Sequence, residues 1–203
     1  MNQRKCEAIR LGNKYIASMH KILEERKGQR FSIKYREATL ADCKLEWDRV
    51  LLGFNFRTYF DLRPGTYTYL CEDDEYIMTD TPCEIFTNVD FISQAKGDIL
   101  IGGLGLGIMP LILSKLARVN SILILEKEQE IIDLIWSQLG LPRHIAVVNA
   151  DVFEYAPNNC YDTIYHDIWS DIDNQAEKEM QSLKEKYKPY VKENGWLGVW
   201  EQK

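Results

Sequence analysis

The chain has 203 residues, 45% hydrophobic and 28% charged, an ordinary balance for a globular protein with one good-sized core. A net charge of −6 argues against a dedicated binder of phosphate backbones, which carries a basic stripe. Five cysteines without a CxxC pair, three scattered histidines and no apolar run near the ~20 residues of a membrane span argue against a zinc site, a disulfide scaffold and a spanning helix. Reduced thiols in a cytoplasmic protein are the expectation, with no leader segment.

In chain order, residues 4–27 read as a helix with Ile9, Ile16, Met19 and Leu23 on one face, weakened at Gly12 and stopped at Gly28. Phe31, Ile33 and Tyr35 alternate with polar residues as in a half-buried strand. Residues 45–63 are apolar and aromatic without a clean period. Pro64-Gly65 is a turn, and 66–70 and 76–79 flank the acidic run 71–75 as a hairpin. Asp80-Thr81-Pro82-Cys83-Glu84 is a helix start, with Thr81 as cap, Pro82 at the first helical position and Glu84 closing a capping box. That helix is expected to reach about Ala95.

Strands and helices then alternate. Strands are expected at 99–102, 121–125, 144–148, 162–166 and 196–200, and helices at 107–118, 129–139 and 174–188. The last helix carries Ala176, Met180, Leu183 and Tyr187 as its apolar stripe. This pattern calls for an α/β fold: a doubly wound, mostly parallel Rossmann-like sheet preceded by an N-terminal helix and a small β region. Residues 1–95 form the N-terminal part and 96–203 the Rossmann-like part.

The chemistry-bearing residues cluster at predicted strand ends. Gly103, Gly105 and Gly107 form GxGxG after the first of these strands, with Ile108 where a dinucleotide fingerprint requires its third glycine. The spacing suits a ligand without phosphates, or simply a tight strand-to-helix turn. Glu126 ends the next strand, where a ribose diol would lie, although Glu126-Lys127-Glu128 also reads as an exposed loop. Asp151 and Val152 follow the third strand, where a carboxylate and an apolar neighbour can hold and pack a purine, or where Asp caps a turn. Asp167 ends the fourth strand and is placed to orient or deprotonate a nucleophile, or to cap a turn. Trp169 and Asp171 lie one loop further, positioned to meet a substrate, while His166 reads as core.

On these residues, the run from 98 to 201 resembles a class I S-adenosylmethionine-dependent methyltransferase. The resemblance matches Gly103-Leu104-Gly105-Leu106-Gly107 to the adenosyl-binding turn, Glu126 to the ribose acid, Asp151 to the adenine acid and Asp167 to the end of the fourth-strand motif. Within that superfamily the chain is most similar to the spermidine synthase branch. The shared features are aliphatic Ile101 in the first motif, the acid pair Glu126 and Glu128, the fourth-strand acids Asp162, Asp167 and Asp171, and a β-rich part ahead of the Rossmann-like part. It departs from that branch at Leu106, where the branch has Asp, and in the four-residue spacing of Asp167 and Asp171. The chain is also expected to stop after its fifth strand, without the usual last helix and antiparallel strands.

The resemblance implies S-adenosylmethionine, or its decarboxylated form, as cofactor and alkyl transfer from a sulfonium to a small-molecule or other acceptor. The implied catalytic residue is Asp167, with Gly103, Gly105, Gly107, Glu126, Asp151 and Val152 around the donor and Trp169 and Asp171 toward the acceptor. Two further readings stand beside it: a polyamine aminopropyltransferase, and a non-catalytic scaffold that keeps the fold, for which the apolar turn residues Leu104 and Leu106 speak. The signatures of adenine-N6 and cytosine methylation are absent, which disfavours a nucleic-acid acceptor. An incomplete sheet favours homo-oligomers, and no membrane or metal partner is implied.

Overall fold

The computed structural model describes residues 2–39, 63–169 and 173–200. Two sheets carry the architecture. The first is antiparallel, in order β1 (Arg26–Lys27), β2 (Phe31–Ala38), β3 (Gly65–Glu72) and β4 (Glu75–Thr79). The hairpin between β3 and β4 turns on Asp73 and Asp74, both at positive φ (45° and 69°), the conformation a two-residue hairpin loop demands.

The second sheet has β5 (Gly97–Gly102), β6 (Val119–Glu126), β7 (Ile145–Asn149), β8 (Tyr161–His166) and β9 (Val191–Val199). Every pairing is parallel and the spatial order is β7-β6-β5-β8-β9. That is the 3-2-1-4-5 order of a Rossmann-like, doubly wound sheet, and its strand order reverses between β5 and β8. The β5 run Ile99-Leu100-Ile101 is buried on both faces, as a central parallel strand must be.

Helices α1 (Gln3–Gly12), α2 (Pro82–Thr87), α3 (Val89–Gln94), α4 (Ile108–Leu113) and α5 (Gln129–Ile135) share one core with β2, β3 and the first face of the parallel sheet. The core therefore runs through both sheets without a break. The rings of Phe91, Tyr165 and Trp196 stack within it, the first two at 4.1 Å. Helix α6 (Asn174–Tyr187) covers the second face and buries the expected stripe of Ala176, Met180, Leu183 and Tyr187. Asp173 caps it by accepting the N–H groups of Gln175 and Ala176. Residues 150–160 cross from β7 to β8 without a helix, and Val148 stays exposed.

Four expectations are corrected. The helix expected over residues 4–27 ends at Gly12. Ile85 of α2 packs against the bare Cα of Gly12, where a Cβ would collide with it. The helix expected from Pro82 to Ala95 breaks at Asn88, whose side-chain amide donates to the carbonyl of Glu84 at 3.1 Å and competes with the backbone ladder. Thr81 makes no side-chain capping bond. Instead Asp80 is buried and accepts the N–H groups of Ser18 and Met19 (2.9 Å each) and Thr68 (2.7 Å), clasping three segments. The helix expected over 107–118 spans only Ile108–Leu113, and the Ser114 hydroxyl donates to the carbonyl of Leu111 at its close. The expectations for 45–62 and for Asp171 lie outside the described residues.

At the far edge of the sheet, Lys192 donates to Asp98 and Asp162 at 2.8 Å each, tying β9 to β5 and β8. Lys192 holds the Asp98 carboxyl below its usual range. Burial works to raise Asp162, but Lys192 and the N–H of Asp98 outweigh it. Among the described residues, no helix is long and apolar enough to cross a membrane.

Candidate functional site

A cavity of about 670 Å³ opens beyond the C-terminal ends of β5, β6, β7 and β8. It lies at the point where the strand order reverses, the place where open α/β sheets bind ligands. Of the residues singled out in the sequence, Gly103, Gly105, Glu126, Asp151, Val152, Asp167 and Trp169 line it together. Gly107 does not. At φ 76° it is the N-cap of α4, and its Cα faces Leu139.

The glycine turn is held from two sides. Gly103, at φ 98°, lies so close to the carbonyl oxygen of Asp167 that any Cβ would collide with main chain. Gly105, at φ 50°, is covered by the sulfur of Met78 from β4. Leu104 and Leu106 are buried in the core, so the apolar character of the turn reflects packing and not an exposed patch.

Glu126 is buried, with 7% of its surface exposed. One carboxylate oxygen accepts the N–H of Leu104 at 2.8 Å, the other the N–H of Glu128 at 2.9 Å. Burial pushes its carboxyl above the usual range, and these N–H groups only partly offset the shift. The carboxylate still has lone-pair capacity for a ligand hydroxyl.

Asp151 accepts the N–H of Phe153 at 2.8 Å, a local turn bond, and its other oxygen lies 3.3 Å from the Lys127 ammonium. It is thus both turn cap and cavity wall. Val152 is fixed from below, because the Tyr187 hydroxyl donates to its carbonyl at 2.8 Å. The N–H of Asp167 donates to the carbonyl of Gly102 at 2.8 Å, which extends the sheet one residue toward the cavity. The Trp169 indole N–H donates to Glu179 at 2.9 Å, setting the ring against α6. His166 is fully buried behind the wall, 4.4 Å from the Tyr187 ring, and burial lowers its pKa to about 3.

Other lining residues carried no local signal. Arg30 reaches over from the β1–β2 turn, pairing with Glu72 at 2.9 Å and Glu128 at 2.8 Å. Met78, Glu84 and Trp200 complete the wall from segments far apart in sequence. Among the described residues, no group of three or more His, Cys, Asp or Glu is placed to hold a metal ion.

Fold and cavity together define a Rossmann-like, doubly wound α/β protein with an open crevice at its switch point. No protein-family model and no curated protein matches the chain. Among solved structures, it is similar to the N-methyltransferase NodS from Bradyrhizobium japonicum WM9 in complex with S-adenosyl-L-homocysteine, at 15% identity and a TM-score of 0.45, covering 57% of this chain and 60% of that one. It is also similar to the DhpI-SAM-HEP complex (21% identity, TM-score 0.41, 49% and 44% covered). A third likeness is to a methyltransferase assigned by inference from Thermoplasma acidophilum (15% identity, TM-score 0.40, 50% and 42% covered). The chain spans less than two thirds of each of these structures, and the likeness is one of fold.

Proposed function

We propose that the cavity binds an S-adenosyl donor and that the protein is an S-adenosylmethionine-dependent methyltransferase acting on a small acceptor. The observation that carries this reading is the convergence of Glu126, Asp151 and the glycine turn on one cavity at the switch point. A buried carboxylate with lone pairs to spare suits a ribose diol. Val152, flanked by Phe153, suits the face of a purine, and the Asp151 oxygen nearer Lys127 suits an exocyclic amine. The absence of the dinucleotide glycine spacing favours a ligand without pyrophosphate.

Bound there, an adenosyl sulfonium would supply an electrophilic carbon, its sulfur keeping the electron pair of the broken bond as a neutral thioether. The chain contributes proximity and direction by fixing the acceptor opposite the turn. Asp167, which lines the cavity and whose main-chain carbonyl lies against Gly103, is the residue whose carboxylate we assign to take the proton released by the acceptor N–H or O–H. Trp169, braced by Glu179, supplies an apolar wall beside it.

Calorimetry with S-adenosylmethionine and S-adenosylhomocysteine tests the reading, and binding in the micromolar range is expected. Absence of heat at millimolar ligand would sink it. A second reading, aminopropyl transfer from the decarboxylated donor, draws on the acids Asp167 and Glu84 on the wall, which suit a polyamine cation. Incubation with that donor and putrescine separates the two, since only aminopropyl transfer releases methylthioadenosine.

A further inference from the structure

Met78 belongs to the antiparallel sheet, yet its side chain lies on the glycine turn of the parallel one. It is half-buried on edge strand β4 and lines the cavity. Its sulfur accepts the N–H of Leu106 at 3.1 Å and sits directly over Gly105. A thioether is a weak acceptor on a flexible, easily rearranged side chain. The N–H of Leu106 therefore has a poor partner, one that a carboxylate or carbonyl oxygen would improve on.

On the adenosyl reading above, on which this inference rests, purine and ribose take the β7 and β6 ends of the cavity, so the 5′ substituent of the donor, with its amino-acid tail, runs on to the β5 end and this same turn. Tail and Met78 cannot occupy one spot. We propose that Met78 fills the tail subsite and is the residue that sets selectivity between adenosyl thioethers with and without an amino-acid tail. A tailed ligand binds only by displacing the Met78 side chain. A ligand ending in a short thioether leaves Met78 in place. The cost of displacement falls on the tailed ligand alone.

The test is calorimetry with two ligands, S-adenosylhomocysteine and 5′-methylthioadenosine, on the wild-type protein and on Met78→Ala. Truncation should raise affinity for S-adenosylhomocysteine relative to that for 5′-methylthioadenosine about tenfold. Met78→Val, better suited to a strand, is the second truncation and should move the affinity ratio the same way by about threefold or more. Thermal melts establish which variants are folded. A ratio unchanged within about twofold in the folded variants overturns the role of Met78 while leaving the adenosyl site standing. If neither ligand binds to wild type or variant, the adenosyl reading itself falls, and the inference with it.

Discussion

Glu126 and Leu104 are joined by a 2.8 Å hydrogen bond that runs from the glycine turn to the end of the next strand. The same carboxylate accepts the N–H of Glu128 at 2.9 Å, so one buried side chain sets both rims of the crevice. Glu126→Ala strands two N–H groups and should cost about 2 kcal/mol in urea denaturation, in addition to lost ligand affinity. Glu126→Gln keeps one acceptor oxygen and should cost less. Equal stability of wild type and Glu126→Ala would contradict this account.

The glycines of the chain should separate by what stands next to them. Gly103→Ala meets the main-chain carbonyl of Asp167, which cannot yield, and should cost about 3 kcal/mol or more. Gly140 also has positive φ, 56°, but nothing lies within 4 Å of a Cβ there. Gly140→Ala should therefore cost only the backbone strain, about 1–2 kcal/mol. Reversal of that order in thermal melts would show that the turn at 103 is not held as described.

Asp80 is a structural clasp. Burial raises its carboxyl pKa, and the N–H groups of Thr68, Met19 and Ser18 oppose that shift. Asp80→Ala leaves three N–H groups, two of them buried, without their acceptor and should lower stability by about 3 kcal/mol or more. Asp80→Asn, with one acceptor oxygen left, should fall between. Denaturant midpoints at constant slope are the measure.

His166 makes stability depend on pH. Its folded pKa of about 3 lies below the ordinary 6.5, so the unfolded chain binds the extra proton between those values. The contribution is complete above pH 6.5 and is lost toward pH 3, at up to about 1.4 kcal/mol per pH unit. Neither ring nitrogen has a hydrogen-bond partner among the described residues. His166→Phe should therefore fold and flatten the decline in stability from pH 6.5 to 4. An unchanged decline would place the acid sensitivity elsewhere. Glu126 acts in the opposite sense, because its raised pKa makes the folded form the better proton binder above pH 4.5.

What was legible in the chain was local. Ile99-Leu100-Ile101 reads as a strand because both its faces are covered, and the glycines and acids at the parallel strands' ends lie at one edge by topology alone. What was not legible depends on segments that meet late in the chain. Gly12 looked like a weak point within a long helix until Ile85 arrived against it. Asp80 looked like part of a helix start, but three distant N–H groups claim its carboxylate. Met78 sits in an ordinary hairpin strand, and nothing in its neighbours announces a sulfur over Gly105. Arg30 likewise becomes part of the crevice only through Glu72 and Glu128.

Glu130, in the first turn of α5, accepts the N–H groups of Arg30 and Phe31 at 3.0 Å each, across 100 and 99 residues of chain. A loop of that length closes slowly and at an entropic cost that local strand pairing does not bear. The rim of the crevice should therefore form late in refolding, because β5 and β6 need only a short helical connection to pair. Pulse-labelled hydrogen exchange should protect the amides of Ile101 and Ile124 before those of Arg30 and Phe31. Ligand held at the crevice would then speed nothing in the early collapse and act only on the closing step, slowing the reopening of the chain.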